Sequence, residues 1–399
     1  MAPQVSLLST LAVAATSTPS HLPPSTSSFS SQSLWLPCGA RGVFGGQVIA
    51  QSLASASNTI SLPLGLHSFH CYFLLPADAG VPITYGVERL RDGKSYSTRL
   101  VRAWQGKKVV FILVASFALP PMELPPLIKG DEIPFSFVPT TKEPALSHSL
   151  RFANSPWSNT SDSRKKITDA AGPVPSYKAR FQIDLKDDVV PWEESEEEES
   201  RWDRFLGDMA SKVQGRARTA VEEYIQERRE SPVGIAVAKK KRRVDDKEEE
   251  RNRRMIWLKA RLSPGEKLDA EGIKIMIAYM TDYQLIGTAS RSVGLTRTSS
   301  PRLGMLASLD HSIHFYPFPA NFDETRPILH VMEAALADVS SGRGVVRGLL
   351  YDENGWLLAV TQQEGVVRAD LGGGKKEKGL VEGGGVEEVE EERRERAKL

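Results

Sequence analysis

The sequence predicts an α+β chain made from two copies of one small unit, each a helix followed by an antiparallel sheet. Three observations carry that expectation. Residues 67–73 read HSFHCYF and residues 311–317 read HSIHFYP, so nearly the same aromatic strand is written twice, 244 residues apart. Each copy follows a helix-like stretch and precedes a run of strand-like text. Val87-Glu88 and Met332-Glu333 keep nearly the same offset, which aligns the copies beyond one motif. Self-similarity over whole-domain length is the mark of a duplicated unit.

Residues 1–33 form an N-terminal segment, and its Ser/Thr/Pro-rich part from 15 to 33 predicts poor order. The N-terminal unit spans 34–118. In GGQVIAQSLASAS, from Gly45, residues Ile49, Leu53 and Ala56 fall at i, i+4 and i+7, a helical stripe that Gly45 and Gly46 open. The other faces of this helix are mostly Ala and Ser, small enough to lie close against a sheet. HSFHCYFLL, PITYGVERL and SYSTRLVRAW read as strands, with Asp92-Gly93 turning between the last two. Gly106-Lys107 turns into VVFILVASF, a nearly continuous apolar run suited to a strand buried on both faces.

Residues 119–250 are dense in Pro, Ser, Lys and Glu, as in EESEEEES and KKKRRVDDKEEERNRR. They predict a linker or insertion, largely disordered, with one helix over about 201–229 carrying Phe205, Met209, Val221, Tyr224 and Ile225. The C-terminal unit spans 251–370. IKIMIAYM reads as a lead-in from strand to helix. Asp282 then opens a helix over DYQLIGTASRSVG, with Ile286, Ala289 and Val293 on one face. ASLDHSIHFY, PILHVMEAALADV, GRGVVRGLLYD and WLLAVTQQEGVVR follow as strands, with a turn at Glu353-Asn354-Gly355. A Gly-rich, charged tail over 371–399 is expected to be flexible.

One helix wrapped by an antiparallel sheet, present twice, is the double hotdog arrangement. Two such units pair edge to edge into one extended sheet, which removes an exposed edge from each. Ligand sites in that arrangement lie where one unit's helix meets the other unit.

Composition narrows the function. With 51 basic and 50 acidic residues, the chain has a net charge of +1 and no global attraction to nucleic acid or an anionic membrane. No apolar run reaches the roughly 18 residues of a membrane span. The short apolar patch at the start lacks the early basic residues of a cleaved leader, since the first Lys or Arg is Arg41. Cys38 and Cys71 suggest neither a disulfide framework nor a zinc site. GARGVFGG is not the dinucleotide pattern G-x-G-x-x-G, and no G-x-S-x-G nucleophile elbow occurs. His67, His70, His311 and His314 sit at i and i+3 in each strand copy. Those positions face opposite ways in a strand, so they are read as structural histidines and no metal is expected. KKKRR at 239–243 is followed at once by DDKEEE, which favours a solvated linker over a nucleic-acid patch.

LWLPCGARGVFGGQVIAQSL, LHSFHCYFLLPAD and VERLRDGKSYSTRLVRAWQ resemble the N-terminal half of type II acyl-CoA thioesterases, especially the fungal branch. EYIQERRESPV, MIWLKAR, YMTDYQLIGTA, LASLDHSIHF and GRGVVRGLLYDENGWLLAVTQQEGVVR resemble the C-terminal half. The match covers roughly 34–118 and 219–368, while 127–190 matches nothing in that family. Hydrolysis there is attributed to an Asp, a Ser or Thr, and a Gln of the C-terminal unit. The resemblance therefore implies Asp282, the hydroxyl of Ser308 two residues before Asp-His-Ser, and Gln363 just before Glu-Gly-Val as catalytic residues.

Those groups suit the chemistry. A thiol leaving group has a pKa near 8.5 and needs little acid assistance, so the site must supply an oriented water, a base and oxyanion donors. Asp282 would act as base or water orienter, with Ser308 and Gln363 holding the same water. Gly45 and Gly46, at the start of the other unit's helix, are candidate oxyanion donors on the ground of helix N-terminal N–H groups, independently of the family. Each residue also has a plainer role: Asp282 as an N-cap, Ser308 as a small packing residue, Gln363 as a partner of backbone groups. The expected function is hydrolysis of fatty acyl-CoA to free fatty acid and CoA by water attack, with no cofactor. The alternatives are a catalytically inactive acyl-CoA-binding or scaffold protein, and a hotdog enoyl-CoA hydratase. Ala397-Lys398-Leu399 at the end of RRERAKL fits the small–basic–leucine pattern of peroxisomal import. The expected setting is thus the peroxisomal matrix. Its expected partners are acyl-CoA, an import receptor and a second copy in a homo-oligomer, without nucleic acid or a membrane span.

Overall fold

In a computed structural model, residues 6–119, 185, 189–241 and 252–371 are described, except 21, 211–212, 297–298, 320–321 and 339. The two copies of the repeated strand text lie side by side as Gly65–Phe73 and Asp310–Phe315, paired antiparallel. Phe69 faces Ile313, its own counterpart in the repeat, and both are fully buried. The pseudo-two-fold axis between the units therefore passes between these two side chains.

The first half consists of α1 (Leu7–Leu11), β1 (Val13–Thr16), β2 (Ser27–Ser31), α2 (Gly45–Ser57), β3 (Gly65–Phe73), β4 (Thr84–Asp92), β5 (Tyr96–Gln105) and β6 (Lys108–Ala118). A single 3-10 turn (Trp192–Glu194), α3 (Glu198–Asp208), α4 (Gly215–Glu230) and β7 (Val233–Val237) follow. The second half consists of β8 (Arg253–Ala260), α5 (Ala270–Thr281), α6 (Gly287–Ser292), β9 (Arg302–Ser308), β10 (Asp310–Phe315), β11 (Ile328–Asp338), β12 (Arg343–Asp352) and β13 (Leu357–Asp370). The strands form one sheet in the order β1-β2-β4-β5-β6-β3-β10-β13-β12-β11-β8-β7, and β9 also pairs with β13. This is a double hotdog, with α2 and α5 packed together on the sheet's inner face.

Helix α2 buries the stripe its sequence shows: Ile49, Leu53 and Ala56 are fully covered. Each buried Ile or Leu contributes about 1.5–3 kcal/mol. Its glycines permit a closer approach than a stripe alone would. A Cβ on Gly46 would fall inside van der Waals contact with the Tyr279 carbonyl oxygen of α5. Backbone thus meets backbone where the two units' helices touch.

Several stretches differ from the sequence expectation, among them β6, which alternates in burial and exposes Val114 instead of being covered on both faces. IKIMIAYM is the body of α5 rather than a lead-in, and Asp282 is the C-cap of α5 rather than the start of a helix. The N-cap is Asp269, whose carboxylate accepts from the Gly272 N–H at 2.6 Å. Every residue from Ile275 to Thr281 is buried, so no polar face marks the period that distinguishes a helix from a strand. Over DYQLIGTASRSVG only Gly287–Ser292 is helical.

Residues 15–33 are not unstructured: β2 pairs with β4, and β1 pairs with β2. They are ordered by extending the sheet across the edge of β4. The apolar patch before them is core, with Leu7 and Leu11 buried. In the segment between the units, the single helix expected over 201–229 is two helices, α3 and α4, folded on one another. Trp202 and Leu206 pack against Val221, Tyr224 and Ile225 there. The strand β7 follows and pairs with β8, because its apolar residues complete the edge of the second unit. Residues 120–184, expected to be disordered, lie outside the described residues.

Replacing Gly46 with Ala should lower the thermal midpoint, costing about 1–3 kcal/mol by overpacking, although Ala is the better helix former. Thermal denaturation of G46A against wild type checks this.

Candidate active site

Two helix ends meet at Asp282. The residue caps the C-terminus of α5, in helical backbone with φ −77° and ψ −13°. The chain then turns sharply through Gln284 at φ 61°, the one non-glycine residue with positive φ among the described residues. A carboxylate is disfavoured at a helix C-terminus, where the dipole is negative. Here the opposing field comes from the other unit. The N-terminus of α2 points at Asp282, and the Gly46 N–H hydrogen-bonds to its carboxylate. A Cβ on Gly45 would lie 2.6 Å from Asp282 Oδ2, so only glycine admits this approach.

Gln363 reaches the same carboxylate from β13. Strand alternation turns Thr361 and Gln363 inward and Gln362 outward. Gln363 Nε2 donates to Asp282 Oδ1 at 2.8 Å. Gln363 Oε1 is buried and has no hydrogen-bond partner. Ser308 ends β9 opposite Gly365 of β13, two residues beyond Gln363. Immediately after it the edge is interrupted at Leu309, and Asp310 Oδ1 takes the Glu364 N–H at 2.6 Å in place of a backbone acceptor. Asp282, Ser308 and Gly45 line one cavity of about 590 Å³, together with Phe73, Tyr283 and Arg228.

Burial pushes the Asp282 carboxyl above its ordinary value, and the hydrogen bonds from Gln363 and the Gly46 N–H pull the other way. Burial also pushes the His311 imidazole down to about 3, so the ring is neutral at any ordinary pH. Both cysteines are unsuited to nucleophilic work. Burial raises the Cys38 thiol, helped by Glu227 and Glu223, and raises the fully buried Cys71 thiol strongly.

The structure brings Asp282 and Gln363 into direct contact and places Ser308 on the same cavity. Gly45 and Gly46 arrive from the other unit, but the Gly46 N–H is engaged by Asp282 instead of being aimed at an open position. Ala397, Lys398 and Leu399 lie outside the described residues. Among the described residues, no group of His, Cys, Asp and Glu is arranged to hold a metal, and no helix is long and apolar enough to cross a membrane. The strand histidines divide as period two requires in the second copy, His311 inward and His314 outward. His311 touches the site, which sequence reasoning missed. Gln363 Nε2 lies 3.1 Å from His311 Nδ1, and His311 Nε2 lies 3.1 Å from Thr281 Oγ1. The available signal was its inward register beside Ile313.

The family models described as the acyl-CoA thioesterase N-terminal domain and C-terminal domain match residues 32–118 and 187–367. The chain belongs to the acyl-CoA thioesterase family, hydrolases of acyl-CoA thioesters. It is similar to acyl-coenzyme A thioesterase 8 of Mus musculus, with 28% identity over 84% of this chain and 82% of that protein. Acyl-CoA thioesterase 2 of Haemophilus influenzae is also 28% identical, over 83% of this chain and 89% of that one. The fold matches the crystal structure of an acyl-CoA thioesterase II, TesB2, from Mycobacterium marinum, with TM-score 0.51, 21% identity and coverage of 92% and 98%.

Because the folded-state pKa of Asp282 is raised, its contribution to stability is full below the unfolded value near 3.9 and is lost as pH rises through the folded value. Asp282→Asn removes that loss. The difference in thermal midpoint, variant minus wild type, should therefore grow as pH is raised from about 4 to 8. Thermal melts of both proteins across that range check the sign.

Proposed function

We propose that this chain hydrolyses fatty acyl-CoA by direct attack of water, with Asp282 as the base. The observation that carries this is the contact of Asp282, which lines the cavity, with the fully buried Gln363 behind it; a helix N-terminus faces the carboxylate, and Gln363 Oε1 is unpartnered beside it. Asp282 and Gln363 Oε1 hold a water between them, and the Ser308 hydroxyl supports it from β9. The water oxygen bonds to the thioester carbonyl carbon as its proton passes to Asp282. The C–S bond then breaks, and the proton leaves with the CoA thiolate, which is stable enough to depart near neutral pH. The Gly45 N–H, in the first turn of α2, is the proposed donor to the carbonyl oxygen. The raised Asp282 pKa makes its carboxylate a stronger base toward the attacking water than an exposed one.

Free-thiol release from acyl-CoAs of four to eighteen carbons tests the reading. Wild type should hydrolyse part of that panel, and Asp282→Asn should lose about 10²–10⁴-fold in kcat while remaining folded. Equal activity in the two proteins would reduce Asp282 to a cap. No release from folded wild type would favour the acyl-CoA-binding or scaffold alternative.

Delivery to the peroxisomal matrix through an import receptor is proposed as well, with Ala397-Lys398-Leu399 as the recognised tripeptide. Similarity to the peroxisomal acyl-coenzyme A thioester hydrolase 1 of Saccharomyces cerevisiae supports it, at 36% identity over 21% of this chain and 24% of that protein. A fluorescent protein fused to the N-terminus should become punctate in cells. Removing the last three residues should leave it diffuse.

A further inference from the structure

Gln363 is the one site group whose chemistry depends on which way round it lies. An amide presents either two N–H donors or a carbonyl acceptor to its neighbours, and the two ends have almost the same shape. The water-holding role needs Oε1 free as an acceptor and Nε2 turned to the carboxylate. A buried amide is held in that sense when the neighbours of Nε2 are acceptors.

The surroundings of Gln363 supply this. Its Nε2 carries two hydrogens and lies 2.8 Å from Asp282 Oδ1 and 3.1 Å from His311 Nδ1. Since Nε2 only donates, His311 Nδ1 must accept, and the ring proton must sit on Nε2. That nitrogen lies 3.1 Å from Thr281 Oγ1, whose own hydroxyl donates to the Ala278 carbonyl of α5 at 2.9 Å. The direction of every bond is then fixed in one chain, from Gln363 to His311, from His311 to Thr281, from Thr281 to the helix backbone. Turning the amide over would set Oε1 against both the Asp282 carboxylate and the imidazole lone pair. Protonating the ring, or moving its proton to Nδ1, would set N–H against N–H.

The imidazole is itself immobilised. His311 is 1% exposed, and the Phe69 ring from the other unit stacks on it at 6.0 Å and 19°. The Cys71 thiol, opposite it across the seam, donates to the His311 carbonyl at 3.3 Å. The other buried imidazole nearby, His330, takes no part: its Nε2 lies 3.4 Å from Thr361 Oγ1.

We propose that His311 is a positioning residue for the hydrolysis. Held by Thr281 as the Nε2–H tautomer, it locks the Gln363 amide with Nε2 toward Asp282 and Oε1 available to the attacking water. This rests on the hydrolytic reading above. It adds to that reading a residue that touches no substrate and a threonine whose hydroxyl sets a tautomer.

The test combines spectroscopy on wild type with kinetics on variants of the full chain. Nitrogen-15 NMR of histidine-labelled protein should show His311 neutral at pH 7 and protonated on Nε2. Thr281→Val removes the acceptor at nearly constant volume and should lower kcat roughly 10-fold or more with KM little changed, while Thr281→Ser should behave like wild type. His311→Asn, whose Oδ1 can still accept from Gln363, should retain more kcat than His311→Leu. A cationic ring, a proton on Nδ1, or undiminished kcat in folded Thr281→Val and His311→Leu would overturn the inference while wild-type hydrolysis stands. Absence of hydrolysis by wild type would overturn both readings together.

Discussion

The pairing of β3 with β10 is the constraint on which everything else in this molecule rests. It joins the two copies of the repeated strand so that Phe69 meets its own counterpart, Ile313. Two edges that would otherwise be unpaired close each other, and one sheet runs through both units. The same pairing sets the two helices side by side on the inner face, with their ends opposed. The seam therefore fixes the site as well as the fold, because the carboxylate and the helix that faces it belong to different halves.

Asp282 shows what that opposition achieves. At the end of its own helix the residue stands in an unfavourable field, and burial raises its pKa further. The N-terminus of α2 and the Gln363 amide offset part of this. The result is a carboxylate that is a stronger base than an exposed one. Gly45 and Gly46 make the approach possible, since a Cβ at either position would collide with Asp282 or with the backbone of α5. A catalytic requirement and a packing requirement are met by the same two missing side chains.

The segment between the units is part of the architecture. Helix α4 places Arg228 beside the cavity, with its guanidinium 5.3 Å from the rings of both Trp35 and Tyr283. The Glu227 carboxylate accepts the Cys38 N–H of the first unit. Gln284, in the strained turn after Asp282, donates to Glu198 Oε1 of α3 at 2.9 Å. These contacts tie the intervening helices to both units and brace the turn that carries the proposed base.

The repeat itself was legible in the sequence, because duplicated strands keep their spacing and their alternation whatever they pack against. The stripe of α2, the Asp92-Gly93 turn and the identity of Asp282, Ser308 and Gln363 were legible for the same reason: each is a local pattern or a short motif. The environment of those residues was not. IKIMIAYM is buried all round from Ile275 onward, so it carries no amphipathic period, and the helix that Asp282 ends looked like one that it begins. Residues 15–33 have no core of their own and gain order from the edge of β4 and from α2, whose Gln47 and Gln51 side chains donate to the Ser33 carbonyl. His311 resembles its outward-facing neighbours in sequence, and only the folded seam turns it onto Gln363. Chain-local chemistry is written in the order of residues. Which carboxylate faces which helix end, and which imidazole holds which amide, was decided by contacts between groups more than two hundred residues apart or on different strands, and only the tertiary structure makes those.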